Sequence, residues 1–198
     1  MSDLFGQRGR LWLHEQLQAL PPHTAYTLSG LLDTLELLSR QIDHVEQRMH
    51  EAFHRAPEVD LLMTLPGVGF ILSVVITSEI GDVRRFKGAE QLASYAGTTP
   101  RVHASGGKTR YGPLRPDVNR YVKWAFVEAA NASCRARRGH PHRHLSQLYE
   151  RLARPKGHQK AIGAVARHLA EATYWMLSKG EPYREPRGRW TPDSSTEA

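Results

Sequence analysis

Residues 23–56, HTAYTLSGLLDTLELLSRQIDHVEQRMHEAFHRA, form the clearest periodic stretch of this 198-residue chain. Its apolar residues recur at alternating steps of three and four: Leu28, Leu31, Leu35, Leu38, Ile42, Val45, Met49 and Ala52. This is the spacing of a heptad repeat, in which one apolar stripe of a helix faces a partner helix. The stretch therefore predicts a long helix with a coiled-coil seam, or alternatively a long core helix of a bundle. A short helix over 9–20, ended by Pro21, could fold back on it as a helical hairpin.

The rest of the chain is also helical by its apolar periodicity. The pattern predicts helices at 59–65, 70–80, 88–96, 117–136 and 142–152 and a last long helix at 158–178. Asp117 is the expected N-cap of the fourth of these, and the Gly/Pro-rich segment 97–116 has weak strand character at best. We therefore expect a mainly α fold in three parts. These are a helical coiled-coil connector at 1–57, a helical domain at 58–183 and a disordered tail at 184–198.

Charge is distributed unevenly along the chain, whose formal net charge is +7. Residues 101–170 contain 15 Lys and Arg against only three Asp and Glu. Such a concentration favours a polyanionic partner such as nucleic acid, although a solvated basic face is the plain alternative. The single cysteine, Cys134, excludes an intrachain disulfide, and no apolar run reaches the ~18 residues of a membrane span. We expect a cytoplasmic protein without a membrane partner.

The segment Leu65-Pro66-Gly67-Val68-Gly69 lies between two apolar helices and predicts a helix-hairpin-helix motif. The glycines allow a tight turn and a close approach of a partner. The N–H groups of Gly67, Val68 and Gly69 would then be free at the start of the second helix, where a phosphate is favoured. A plain Pro-Gly turn between two core helices is the alternative.

Ser105 is the candidate nucleophile, because it precedes Gly106 and Gly107 in a strongly basic segment. A serine hydroxyl attacks poorly unless a base removes its proton or cations stabilise the transition state. A flexible Ser-Gly-Gly loop among cations would suit attack on a phosphodiester. The surrounding basic residues are Arg101, Lys108, Arg110, Arg115, Arg120 and Lys123. The helical aromatic residues Tyr121, Trp124, Phe126, Tyr174 and Trp175 are expected to pack in the core.

Residues 58–183 resemble the C-terminal domain of insertion-sequence transposases of the IS110 group, also named for IS116 and IS902. Residues 9–56 look like the coiled-coil connector that precedes this domain in the family. The motifs that carry the resemblance are Leu65–Gly69, Glu79–Asp82, Phe86, Leu92–Gly97, Pro100, Ser105–Lys108 and Asn119-Arg120.

The resemblance implies a DNA-binding protein of DNA transposition and recombination, with Ser105 as the nucleophile in a serine recombinase-like step. It implies that Lys108, Arg110, Arg115 and Arg120 steady the phosphate and that Asn119 orients the loop. It also implies that an RNA transcribed from the element's flank guides the choice of DNA. The expected partners are thus DNA, a guide RNA and a second copy of the chain through residues 23–56.

Two departures from the family pattern limit this interpretation. Family members carry an N-terminal RuvC-like nuclease domain whose carboxylate quartet binds Mg²⁺, whereas the acidic residues before Pro57 are spaced along the heptad helix and do not converge. We expect that domain to be absent, with no metal or cofactor in this chain and an incomplete catalytic apparatus. Val118 stands where many members have glycine. A non-catalytic nucleic-acid-binding module, or a dimerisation module that inhibits the full-length enzyme, remains an alternative function.

Overall fold

Helices dominate the computed structural model, so the prediction of a mainly α fold is confirmed. The chain divides into two compact units, Met1–His54 and Arg55–Ala198. No helix among the described residues has both the length and the apolar character needed to cross a membrane. The structure describes residues 4–53, 56–105, 107–114, 118–141 and 143–186.

The first unit consists of helix α1 (Gln7–Gln16), a 3-10 turn (Leu17–Ala19) and the long helix α2 (Pro22–Phe53). Helix α1 contacts the middle of α2, where Arg10 Nη2 donates to Ser39 Oγ at 3.1 Å. Within α2, all of which the structure describes, the only buried residue is Leu32, which lies beside the heptad stripe rather than in it. Four stripe residues are at least half exposed: Leu31 (63%), Leu38 (51%), Ile42 (57%) and Val45 (55%).

The second unit contains, in its described part, six α-helices and one strand pair. Helices α6 and α8 cross at its centre, and the other helices pack around them. Both helices bury alanines: Ala125 and Ala129 on α6 and Ala166 on α8 are fully buried. The larger side chains of Phe126 and Leu169 are fully buried as well. The bounds are α3 (Pro57–Leu62), α4 (Phe70–Ile80), α5 (Ala89–Tyr95), β1 (Pro100–Ser105), β2 (Lys108–Leu114), α6 (Arg120–Arg135), α7 (His144–Lys156) and α8 (His158–Lys179).

The expectation of a loop with little strand character at 97–116 was wrong. Strands β1 and β2 pair antiparallel, from Pro100 opposite Leu114 to Ser105 opposite Lys108, with an irregularity between Pro100 and Val102. We call this strand pair the β-arm. No third strand joins it in the described parts of the chain. The helix that follows is capped by Asn119, whose side chain accepts from two backbone N–H groups, and not by Asp117, which lies outside the described residues.

The segment after α8 returns across the second unit. The N–H of Tyr183 donates to Thr64 Oγ1 at 2.9 Å, and Glu185 Oε2 accepts from the N–H of His144 at 3.0 Å. The tail predicted to be disordered from 184 therefore has a defined contact as far as Glu185. Residues 187–198 lie outside the described part of the chain.

Candidate nucleic-acid interface

Ser105 lies at the tip of the β-arm. It is the last residue of β1, and its register partner is Lys108, the first residue of β2. Gly107 has φ +74°, a left-handed conformation that favours glycine. Ser105 and Lys108 are thus paired strand residues, where we had expected a flexible loop. The β-arm also carries Arg101 on β1 and Arg110 on β2.

A hydrogen-bond network joins three helix ends at the base of the β-arm. Asn119 Nδ2 donates to Glu79 Oε2 at 2.6 Å and to the Tyr95 hydroxyl at 3.1 Å. The Tyr95 hydroxyl in turn donates to the backbone carbonyl of Glu79 at 3.2 Å. Arg85 donates to the same carbonyl and lies 4.6 Å from the centre of the Tyr95 ring. The last turn of α4, the last residue of α5 and the N-cap of α6 are thereby tied together.

The two chain segments that enter and leave the β-arm also touch directly. Gly97 has φ +65°, and a Cβ atom on it would collide with the side chain of Val118. The position therefore requires glycine, both for its backbone conformation and for the close approach of Val118. This contact fixes the separation of the two segments just below the strands.

The Leu65–Gly69 segment packs against α6. Gly67 has φ +80°, and a Cβ there would collide with the carbonyl oxygen of Ala129 and lie 2.5 Å from Ser133 Oγ. Ser133 Oγ donates to the carbonyl of Pro66 at 2.8 Å. The N–H of Val68 donates to the carbonyl of Leu65 at 3.1 Å, so the expectation that it is free was wrong. Gly69 is the exposed N-cap of α4, and contact of this segment with a phosphate stays a prediction.

Three cationic side chains surround the junction of α7 and α8. Arg154 and Lys156 end α7, Lys160 lies in the first turn of α8, and all three are exposed. Gly157, at φ +84°, makes the junction between the two helices. None of the three cations has a carboxylate partner among the described residues, whereas Arg137 is paired with Glu150 at 2.9 Å. We call Arg154, Lys156 and Lys160 the basic corner.

The outer face of α6 carries two exposed aromatic side chains, which the sequence analysis placed in the core. Tyr121 is 67% exposed and Trp124 is 48% exposed, beside the exposed Arg120. Trp175 on α8 is 53% exposed, whereas Phe126 is fully buried as expected. The helical spacing could have predicted this exposure. Val122, Ala125, Phe126 and Ala129 form one helix face, so positions 121 and 124 lie on another.

Comparison with known proteins finds similarity to one family. Residues 59–147 match the family described as Transposase IS116/IS110/IS902. The matched segment, a little under half of the chain, is similar to this family of transposases. It is 34% identical over 135 residues to a mini-circle protein assigned as the transposase for IS117 in Streptomyces coelicolor, a match that covers 63% of this chain and 33% of that protein.

Two further relatives give the range of the similarity. The transposase for insertion sequence element IS1111A of Coxiella burnetii is 24% identical over 88% of this chain and 48% of its own length. The pilin gene-inverting protein of Moraxella bovis is 40% identical over 41% of this chain and 26% of its own length. The chain thus spans between about a quarter and a half of the lengths of these relatives.

The family-matched region contains every site residue predicted from the sequence. The fold distributes the described ones over three places: the Leu65–Gly69 segment, the β-arm and the start of α6. Ser105, Gly107 and Lys108 lie at the tip of the β-arm, whereas Asn119 and Arg120 lie at its base. Five residues of strand separate tip from base, or roughly 17 Å at about 3.4 Å per residue. Lys123 is half-buried one turn into α6. Gly106 and Arg115 lie outside the described residues, as do the side chains of Arg101, Ser105, Lys108 and Arg110.

The magnesium site that the family pattern implies for a RuvC-like domain does not fit the residues that the structure describes. The described residues bring together no group of three or more His, Cys, Asp or Glu side chains that could hold a metal ion. Acidic residues of α2, such as Glu36 and Glu46, are spread along one helix and do not converge. The chemistry considered below therefore uses only groups of this chain.

Proposed function

We propose that this chain binds DNA as part of a transposase and presents Ser105, at the tip of the β-arm, to a DNA phosphodiester. The observation that carries the proposal is the position of Ser105, which is the last residue of β1. Gly107, in the connection that follows, has no Cβ and so lets a phosphate approach the backbone closely. The strands of the β-arm supply cations in the same segment.

The proposed step is a transesterification. The Ser105 oxygen forms a bond to phosphorus, the bond from phosphorus to one deoxyribose oxygen breaks, and the product is a phosphoserine link to one DNA end. The serine proton passes to solvent or to a base supplied by the assembly, and the leaving deoxyribose oxygen takes up a proton. Guanidinium and ammonium groups of the β-arm would stabilise the charge that develops on the phosphate oxygens. A guide RNA that selects the DNA is part of the same proposal.

The test is to mix the chain with element-end DNA, the flank-derived RNA and a full-length family member, and then to separate the products under denaturing conditions. The proposal expects a covalent protein–DNA species of the mass of this chain plus DNA. A reaction in which DNA is cut but never attached to this chain would contradict it.

The basic corner is expected to bind phosphates of the DNA backbone. Arg154→Gln combined with Lys156→Gln should weaken binding to any DNA sequence and lower the slope of log affinity against log salt by about one for each phosphate that is no longer neutralised. Titration of labelled duplex DNA at four salt concentrations measures both quantities. The matched control is Arg84→Gln, because Asp82 already neutralises that guanidinium at 2.9 Å. An unchanged slope in the corner variant would show that DNA does not bind this surface.

A second proposed function of the chain is self-association through the exposed seam of α2. Arg10 of α1 contacts α2 at Ser39, and the seam residues Ile42 and Val45, which follow Ser39, are more than half exposed. The heptad spacing of these residues is that of a coiled coil between two copies of this chain.

Ile42→Lys should abolish this association, since a lysine in the seam would have to be buried without a partner charge. We expect the dissociation constant to rise by about 100-fold or more, measured by sedimentation equilibrium. His44→Lys introduces the same charge on the opposite face of α2 and should leave association unchanged. A wild-type chain that sediments as a monomer at high concentration would defeat this proposal.

A further inference from the structure

The β-arm needs an anchor at its base. A two-stranded sheet without a third strand is only marginally stable in water, and in the described residues the β-arm has no third strand. Its order and its direction must therefore be set where its two ends join the helical core. One end follows Tyr95, the last residue of α5, and the other precedes Asn119, the N-cap of α6.

Glu79 contacts both of these ends. Its carboxylate accepts from Asn119 Nδ2 at 2.6 Å, and its backbone carbonyl accepts from the Tyr95 hydroxyl at 3.2 Å. The Asn119 side chain is used fully, because its Oδ1 also accepts from the N–H groups of Tyr121 and Val122 at 3.0 and 3.1 Å. Hydrogen bonds at both its Nδ2 and its Oδ1 thus fix the orientation of the Asn119 amide.

The Glu79–Asn119 contact is a charge-assisted hydrogen bond, which is stronger than a bond between two neutral groups. Glu79 comes from α4, 40 residues before Asn119 in the sequence, so it connects the β-arm to a separate part of the core. It lies at the base of the β-arm and Ser105 at the tip. Glu79 is therefore too far away to take the proton of Ser105.

We propose that Glu79 is a positioning residue that sets the direction of the β-arm, and hence the position of Ser105, through its contact with Asn119. The inference rests on the proposed function for its consequence in DNA attack. The positioning itself is a property of this chain alone.

The structure offers a test that reverses the donor and the acceptor. Asn119→Asp keeps the N-cap of α6, because aspartate caps as well as asparagine, but it places two carboxylates against each other. Adding Glu79→Gln to this variant restores a carboxylate–amide pair of the same total charge, with the roles exchanged. Glu79→Ala removes the contact, and Glu79→Gln alone keeps an oxygen acceptor for Asn119.

The direction of the β-arm is read from the distance between two spin labels, at Thr109→Cys on β2 and at Ser178→Cys at the exposed end of α8. Burial raises the pKa of the Cys134 thiol to about 11, so this buried cysteine stays unlabelled. We expect narrow distance distributions for the wild type, Glu79→Gln and the exchanged double variant. Glu79→Ala and Asn119→Asp should at least double the width. Equal widths in all five proteins, or a double variant as broad as Asn119→Asp, would overturn the proposal.

Covalent attachment of DNA to Ser105 is the second measurement. Glu79→Ala should form the adduct at least tenfold more slowly while binding DNA with unchanged affinity, and the exchanged double variant should recover the rate. Adduct formation by Glu79→Ala at the wild-type rate would overturn the positioning role. Absence of the adduct in the wild type itself would instead count against the proposed function, and the label distances would still decide the inference on Glu79.

Discussion

Ser105→Ala is expected to lose covalent attachment to DNA by about 10³-fold or more, since the variant has no oxygen that can bond to phosphorus. Replacing one hydroxyl by hydrogen at the tip of the β-arm leaves the backbone pairing of position 105 with Lys108 unchanged. The affinity for DNA should therefore stay within about twofold of the wild type. Denaturing electrophoresis measures the attachment, and fluorescence anisotropy measures the binding.

Ser178→Ala is the matched control for this result, because it removes a serine hydroxyl from an exposed site at the end of α8 in the same unit. It should form the adduct at the wild-type rate. Equal attachment by Ser105→Ala and the wild type would show that another group of the assembly attacks the DNA. The non-catalytic binding module would then be the better interpretation of this chain.

Gly67→Ala is expected to cost the second unit about 2 to 5 kcal/mol of its free energy of unfolding. Two costs add at this position: the backbone strain of an alanine at φ +80°, and the collision of its Cβ with the backbone of α6 at Ala129. The helix cannot move away easily, because Ala125, Ala129 and Phe126 are fully buried in the core. Urea unfolding followed by circular dichroism measures the loss.

Gly180→Ala separates the two costs. Gly180 also has positive φ, +65°, in the left-handed helical region, but a Cβ there would have no neighbour within 4 Å. It should therefore lose only the strain, about 1 to 2 kcal/mol. If Gly67→Ala lost no more stability than Gly180→Ala, the Leu65–Gly69 segment would not pack on α6 as described.

The helices could be predicted from the sequence because their signal is local. The apolar steps of α2, α6 and α8 repeat within a few residues, and the observed bounds follow them closely. The β-arm was missed because its strands are short and largely polar, so no apolar alternation marks them. The Ser105–Lys108 motif did contain the signal of a two-residue hairpin turn, which we interpreted as flexibility.

The site could be predicted only as a set of residue types. Ser105 and its basic neighbours are adjacent in the sequence, but the network of Glu79, Tyr95 and Asn119 joins residues up to 40 positions apart that no local pattern connects. The N-cap was misplaced because Asp117 and Asn119 are both capping residue types, and only the turn geometry distinguishes them. The exposure of Trp124 was missed because aromatic character was given more weight than its position on the helix.

The buried alanines of α6 and α8 also determine how this chain would respond to random mutation. Larger residues at Ala125, Ala129 or Ala166 would overpack the core, so a library sorted only for abundance in the cell should be depleted there and indifferent at Ser105. A library sorted for mobilisation of a marker gene should add Ser105 to the depleted positions. The difference between the two profiles would separate the residues that the chain needs for folding from those that it needs for mobilisation of the marker.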